Sequence, residues 1–248
     1  MIKFFRHIRQ NQIMKNQTGK YLKYAIGEII LVVIGILIAL SINNWNESRK
    51  ELKAEKATIN NLKLEFQKNT IELDDNIETT QDIINAGQVL LANIGPNYEY
   101  GTLKNVDSLI SMTPRMSIWD PSLYTLSDIK NSGKLSNLSN EELKLELISW
   151  ESFYSNLKDW SDFHVERGNA YFDFLMENAI NRNLNNSGPI QLGMSKFNDS
   201  NEKLLKMQSF ESILSHRVTH NMFMLNYYTE AKDRLHKIIG LSKTYDNK

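Results

Sequence analysis

Between Ala25 and Ile42 the chain reads AIGEIILVVIGILIALSI, with Glu28 its only charged residue. No other stretch restricts the fold as tightly. At a helical rise of about 1.5 Å per residue the run is roughly 27 Å long, about the hydrocarbon thickness of a bilayer. A helix buried in a soluble core is seldom apolar on every face. Tyr21 and Tyr24 precede the run and Trp45 follows it, as interfacial aromatic anchors do. A transmembrane helix is expected over 24–43.

The same run could be a signal peptide, since Ala39-Leu40-Ser41 is a passable small-x-small cleavage site. Against cleavage stand the long basic region before it and an apolar run longer than most signal cores. Trp45 also leads directly into a helical pattern, so an uncleaved signal anchor is expected. Residues 1–23 carry Lys3, Arg6, Arg9, Lys15, Lys20 and Lys23 and no Asp or Glu. The segment after the run carries Arg49, Lys50, Lys53 and Lys56. The basic excess before the span favours a cytoplasmic N-terminus and an exported C-terminal domain. Within 2–14, Ile2, Phe5 and Ile8 alternate with Lys3, Arg6 and Arg9. That pattern suits a short amphipathic helix on an anionic leaflet, the alternative being a disordered basic topology signal.

Glu28 shares a helical face with Tyr21, Leu31, Gly35, Ala39 and Ile42 at 100° per residue. Gly35 and Ala39 form a small-x-x-x-small pair of the kind that lets two backbones approach closely. Glu28, Gly35 and Ala39 are therefore the expected membrane association face. The alternative for Glu28 is a carboxylate that snorkels to the interface, about one turn away. The bilayer is one expected partner, and self-association or another envelope membrane protein is the other.

Past the span, Trp45, Leu52, Ile59, Phe66 and Leu73 recur every seventh residue, the seam of a long helix. Its companion row is broken by Ser48, Glu55, Asn69 and Asn76, so packing against helices of the same chain is expected. Gly95-Pro96 is expected to end it. A short helix follows over 103–111. Asp120-Pro121 then reads as an N-cap and first helical position, with Gly133 as the left-handed terminator. Ser139-Asn140-Glu141-Glu142 reads as a capping box opening a long helix to about Arg182. A loop over 183–200 precedes a final helix from about Glu202 to Ile239, stopped by Gly240. The fold class expected is all-α: one N-terminal transmembrane helix continuing into a periplasmic bundle of three long helices plus short ones. The domains are a basic cytoplasmic segment over 1–23, the span over 24–43 and the periplasmic helical domain over 44–248.

Two stretches resemble a known family. The opening, MIKFFRHIRQ through KYLKYAIGEIILVVIGILIALSINNWNE, resembles that of an uncharacterised bacterial membrane-protein family, one of the domains of unknown function. Leu123-Tyr124-Thr125-Leu126 through Asp128-Ile129-Lys130-Asn131-Ser132-Gly133-Lys134-Leu135 is similar to its internal motif. Ser41 departs from the family, where a longer polar residue often stands. The resemblance implies an inner-membrane anchor with a periplasmic helical domain, and it assigns no activity.

Chemistry-bearing patterns are few. Lys+Arg and Asp+Glu each number 29, so no basic excess points to nucleic acid. There is no cysteine, which excludes disulfides and thiolate metal sites and leaves the compartment open. His216 and His220 stand one helical turn apart, without the Glu of a zinc-protease helix or an obvious third ligand. They are read as ordinary histidines, and no metal or other cofactor is expected. Glu72, Asp74, Asp75 and Glu78 lack calcium-loop spacing, and no phosphate loop or Gly-x-Ser-x-Gly elbow occurs. His164 interrupts one apolar stripe, and Arg217 and Asn221 interrupt another. These three are the candidate polar core layer, a packing device or alternatively a small-ligand pocket. The function expected is a non-enzymatic, membrane-anchored interaction or scaffold protein of the cell envelope. The alternative is a periplasmic ligand-binding sensor module acting through a separate membrane partner.

Overall fold

A computed structural model of the chain describes residues 18–186 and 192–245. The amphipathic pattern of 2–14 lies outside the described residues. Described secondary structure is helical throughout, with no strand. Contacts divide the chain into two units, one ending at Ala57 and the other beginning at Thr58.

The first helix, α1, spans Thr18–Leu91. Its apolar N-terminal stretch is the one helix among the described residues long and apolar enough to cross a membrane, and none of that stretch is buried by protein. Ala39 is exposed, Glu28 is half-buried, and the space beside Gly35 is open. The seven-residue seam divides at the unit boundary. Trp45 and Leu52 are 64 % and 56 % exposed, whereas Ile59, Phe66 and Leu73 are fully buried. Core packing thus begins at Ile59, later in the chain than the expected domain start at residue 44.

The second unit is built on the C-terminal part of α1 and on two further long helices, α4 (Glu141–Asn178) and α6 (Gln208–Ser242). Short helices α2 (Val106–Met112), α3 (Tyr124–Asn131) and α5 (Asn181–Asn185) fill the connections. α4 and α6 are antiparallel: Glu146 meets Lys237, Phe153 meets Tyr227, and Phe174 stacks on Phe210. α1 closes the layer, with Phe66 against Trp150 and Gly87 against Val218. Gly87 leaves no room for a side chain, since an added Cβ would lie 2.3 Å from Val218 Cγ2.

Helix ends differ from the sequence expectations in six places. α1 stops at Leu91 rather than at Gly95-Pro96, and a turn carries the chain to Gly95, whose N–H donates to the Leu205 carbonyl. Asp120-Pro121 does not open a helix. α3 begins at Tyr124 because its first N–H groups find an acceptor on α1, not within the segment. The cap of α4 is Asn140 and not Ser139: its Oδ1 accepts from the Leu143 N–H at 3.0 Å. The final helix is broken near its start. A 3-10 turn over Asn201–Lys206 is followed by extended Met207, and α6 then runs through Gly240 to Ser242. Gly240 keeps helical φ and so terminates nothing, whereas Gly133, with φ of 72°, ends α3 as expected. α4 likewise stops at Asn178, short of Arg182.

Candidate functional site

Two apolar clusters make up the core of the second unit. One gathers Phe66, Trp150 and Leu235, the other Leu175, Phe210 and Leu214. Polar residues mark the change from one to the other. On α4, His164 lies between Leu157 of the first cluster and Tyr171 of the second. On α6, Arg217 and Asn221 lie between Leu214 and Met224. His164, Arg217 and Asn221 are 1 %, 3 % and 0 % exposed. A buried guanidinium needs partners for its N–H groups, and most of them come from an irregular segment, residues 113–123, the strap.

Arg217 Nε donates to the Thr113 carbonyl at 3.1 Å, and Nη2 donates to the Arg115 carbonyl. Nη2 also donates to Met116 Sδ at 3.7 Å, so the partners of Arg217 are backbone oxygens, a thioether and a histidine, with no carboxylate among them. Nη1 lies 3.4 Å from His164 Nε2. Arginine only donates, so Nε2 accepts and the ring hydrogen sits on Nδ1. That Nδ1 has no hydrogen-bond partner, and neither has Asn221 Oδ1, while Asn221 Nδ2 donates to the Arg217 carbonyl. Thr113 Oγ1 and the Tyr171 hydroxyl are 2.6 Å apart. Gly168 makes the room: an added Cβ would sit 2.1 Å from Met116 Cε and 3.0 Å from Arg217 Nη1.

Burial sets the electrostatics of this layer. It holds the His164 ring well below its ordinary value, at about 3, with Arg217 and then His220 adding to the shift. Burial also lowers Arg217 to about 10, against an opposing effect of Tyr171, and raises the Tyr171 hydroxyl. Each shift favours the state with less charge to desolvate.

Residues not singled out in the sequence hold the rest of the strap. Asn69, 1 % exposed, clamps the Ser122 backbone from both sides, its Nδ2 donating to the carbonyl and its Oδ1 accepting from the N–H. Trp119 Nε1 donates to the Asn69 carbonyl, and Ser117 Oγ donates to Asn76. The Tyr228 hydroxyl donates to the Ser117 carbonyl. Glu65 accepts from the N–H groups of Tyr124 and Thr125, at 2.6 and 2.8 Å, and so caps α3 from another helix. The available signal was the recurrence of Asn69 and Asn76 seven residues apart on a buried row of α1.

His216 and His220 are brought together, with ring centroids 4.6 Å apart. Among the described residues no group of three or more metal-donor side chains is gathered. His220 instead packs edge-on to Phe163, whose ring carries the Arg167 guanidinium at 4.9 Å. Trp160 joins Phe223 and Tyr227 at about 6 Å, which extends an aromatic strip along the outside of α4 and α6. Trp160 and Phe223 are 38 % and 50 % exposed. Glu28, Gly35 and Ala39, in the first unit, are remote in sequence from all of these groups.

A family model described as a family of unknown function (DUF6090) matches residues 28–159, just over half of the chain. The match takes in most of the candidate span, the clamp residues of α1, the strap and the first half of α4. No curated protein and no solved structure matches the chain.

Proposed function

We propose that the chain, which belongs to the family of unknown function DUF6090, is a membrane-anchored, non-catalytic interaction or scaffold protein of the bacterial cell envelope. One observation carries this reading: the interior is filled by the chain's own strap while apolar surface is left outside. Met116 and the Arg217 guanidinium fill the space beside Gly168. The residues Ile26 to Ile42 and the aromatic strip of Trp160 and Phe223 are, by contrast, uncovered. The titratable groups of the layer also face one another in the core, which favours a packing device over a catalytic cleft. The apolar run is read as an inner-membrane signal anchor, and the basic bias before it supports a cytoplasmic N-terminus and a periplasmic C-terminal domain.

Association in the membrane is assigned to the face of Glu28, Gly35 and Ala39, with a second copy or another envelope membrane protein as partner. Single cysteines at positions 35, 39 and 33 test this in native membranes, on a chain with no cysteine of its own. Cross-links are expected from 35 and 39 and not from 33, on the opposite face. Equal cross-linking from all three, or none, leaves the span as a simple anchor.

A sensor module is the second reading, and it is favoured by the unpartnered His164 Nδ1 and Asn221 Oδ1 in the layer. Ligand-dependent thermal stabilisation that is lost in Asn221→Leu would support it over the first.

A further inference from the structure

The strap has no regular secondary structure of its own, so side chains from the helices decide where it lies. Three groups of contacts do so, and the middle one, where Asn76 and Tyr228 hold the Ser117 hydroxyl and carbonyl, separates the other two. Asn69 and the Trp119 ring hold the part around Ser122. Arg217 holds the part at Thr113 and Arg115, and Met116 seats beside it against Gly168. The Arg217 guanidinium is in turn steadied on its third side by His164 Nε2, a contact that exists only while that nitrogen keeps its lone pair.

We propose that the His164–Arg217 contact is an acid-sensitive latch: protonation of His164 turns an acceptor into a second cation against the guanidinium and releases residues 113–116 from the groove between α4 and α6, while the long helices stay packed.

The surroundings give the imidazolium nothing to lean on. α4 contributes Tyr171 and, nearer the surface, Arg167; α6 contributes Arg217, His220 and His216. The strap contributes carbonyl oxygens already taken by Arg217. Between Ile77 and Gly87 the buried residues of α1 are Thr80, Ile83, Ile84 and Ala86, none of them titratable, and the Thr80 hydroxyl donates to the Asn76 carbonyl. The neighbouring α1 acids are outside the layer, Glu78 exposed and Asp82 partly so. No carboxylate is among the groups that shift His164, Arg217 or His220.

The direction of the linkage follows from the depressed value of the closed state. With the strap seated, His164 binds a proton only near 3; once released, the ring returns towards its ordinary 6.5. Closure is therefore fully favoured above about 6.5 and weakens as pH falls from there towards 3, by up to about tenfold in the open fraction per pH unit. The released segment uncovers the slot at Gly168, so an acidic environment would change which surface the bundle offers. This inference does not depend on the interaction reading above.

Hydrogen–deuterium exchange of the full chain in detergent micelles, corrected for intrinsic rates, tests the latch between about pH 7.5 and 4.5. Exchange of the Thr113, Arg115 and Met116 amides is expected to rise by up to about tenfold per pH unit below about 6.5, with the amides of 119–122 and of 143–157 unchanged. His164→Gln should flatten the profile, and His220→Gln, nearer the surface, should keep it. A flat wild-type profile overturns the proposal, as does an equal slope in His164→Gln or simultaneous opening of α4. Should His164→Gln fail to fold, the His220→Gln profile decides, because loss of the slope there assigns the proton to His220 instead.

Discussion

Arg217 shows what a charged residue does in the core of this domain. Its guanidinium is enclosed, yet it is matched to carbonyl oxygens of the strap and to His164 rather than to an acid. This changes what its loss should do. Had the partner been a carboxylate, an apolar replacement would have left one orphaned charge to remedy. Here Arg217→Leu removes a charge that burial disfavours but also strips the Thr113 and Arg115 carbonyls of their donor. Each unsatisfied buried group costs about 1–3 kcal/mol, so Arg217→Leu is expected to lower stability by roughly 2–4 kcal/mol, read from chemical denaturation. A variant as stable as the parent would mean that water serves those carbonyls equally well.

Among the elements, the strap and α3 depend on α1 more than on themselves. α3 has no cap of its own, and its first turn is completed by Glu65. Glu65 is half-buried, so its loss should resemble that of an ordinary N-cap, about 1 kcal/mol. Asn69 is enclosed, and replacing it with leucine removes both hydrogen bonds that hold the Ser122 backbone. Asn69→Leu is therefore expected to cost about 2–3 kcal/mol, clearly more than Glu65→Ala in the same denaturation experiment. The reverse order would show that the clamp on Ser122 is dispensable and that the Trp119 ring alone holds the strap.

For the whole molecule, the apolar stretch of α1 and the domain that packs from Ile59 onward ask for different solvents. Every large apolar side chain from Ile29 to Leu40 is about half exposed or more, a surface that water would penalise heavily. Under the proposed topology the C-terminal domain lies outside the cytoplasm. Alkaline phosphatase fused after Lys248 is then expected to be active, and a green fluorescent protein fused there to be dark. The opposite pattern would place the domain in the cytoplasm and remove the envelope reading with it.

How far the fold was legible depended on the range of the interactions. The candidate span, the three long helices and the left-handed Gly133 come from patterns repeated within a turn or a heptad, and periodic burial needs no distant partner to be recognised. The apolar stripes put His164, Arg217 and Asn221 on inward faces for the same reason, and all three are buried. Nothing local said what Arg217 binds, because backbone carbonyls of residues 113 and 115 carry no signature in the sequence. The start of α3 was misplaced on similar grounds, since Asp120-Pro121 is a good local cap while the acceptor in use belongs to Glu65. The row of Asn69 and Asn76 was visible only as a fault in a heptad seam. A sequence determines which backbone stretches can become helices, because that choice is settled within a few residues. Which polar groups satisfy the remaining irregular segment is settled only when α1, α4 and α6 close around it, since an unpaired buried N–H or carbonyl takes whichever partner the packed helices bring within reach.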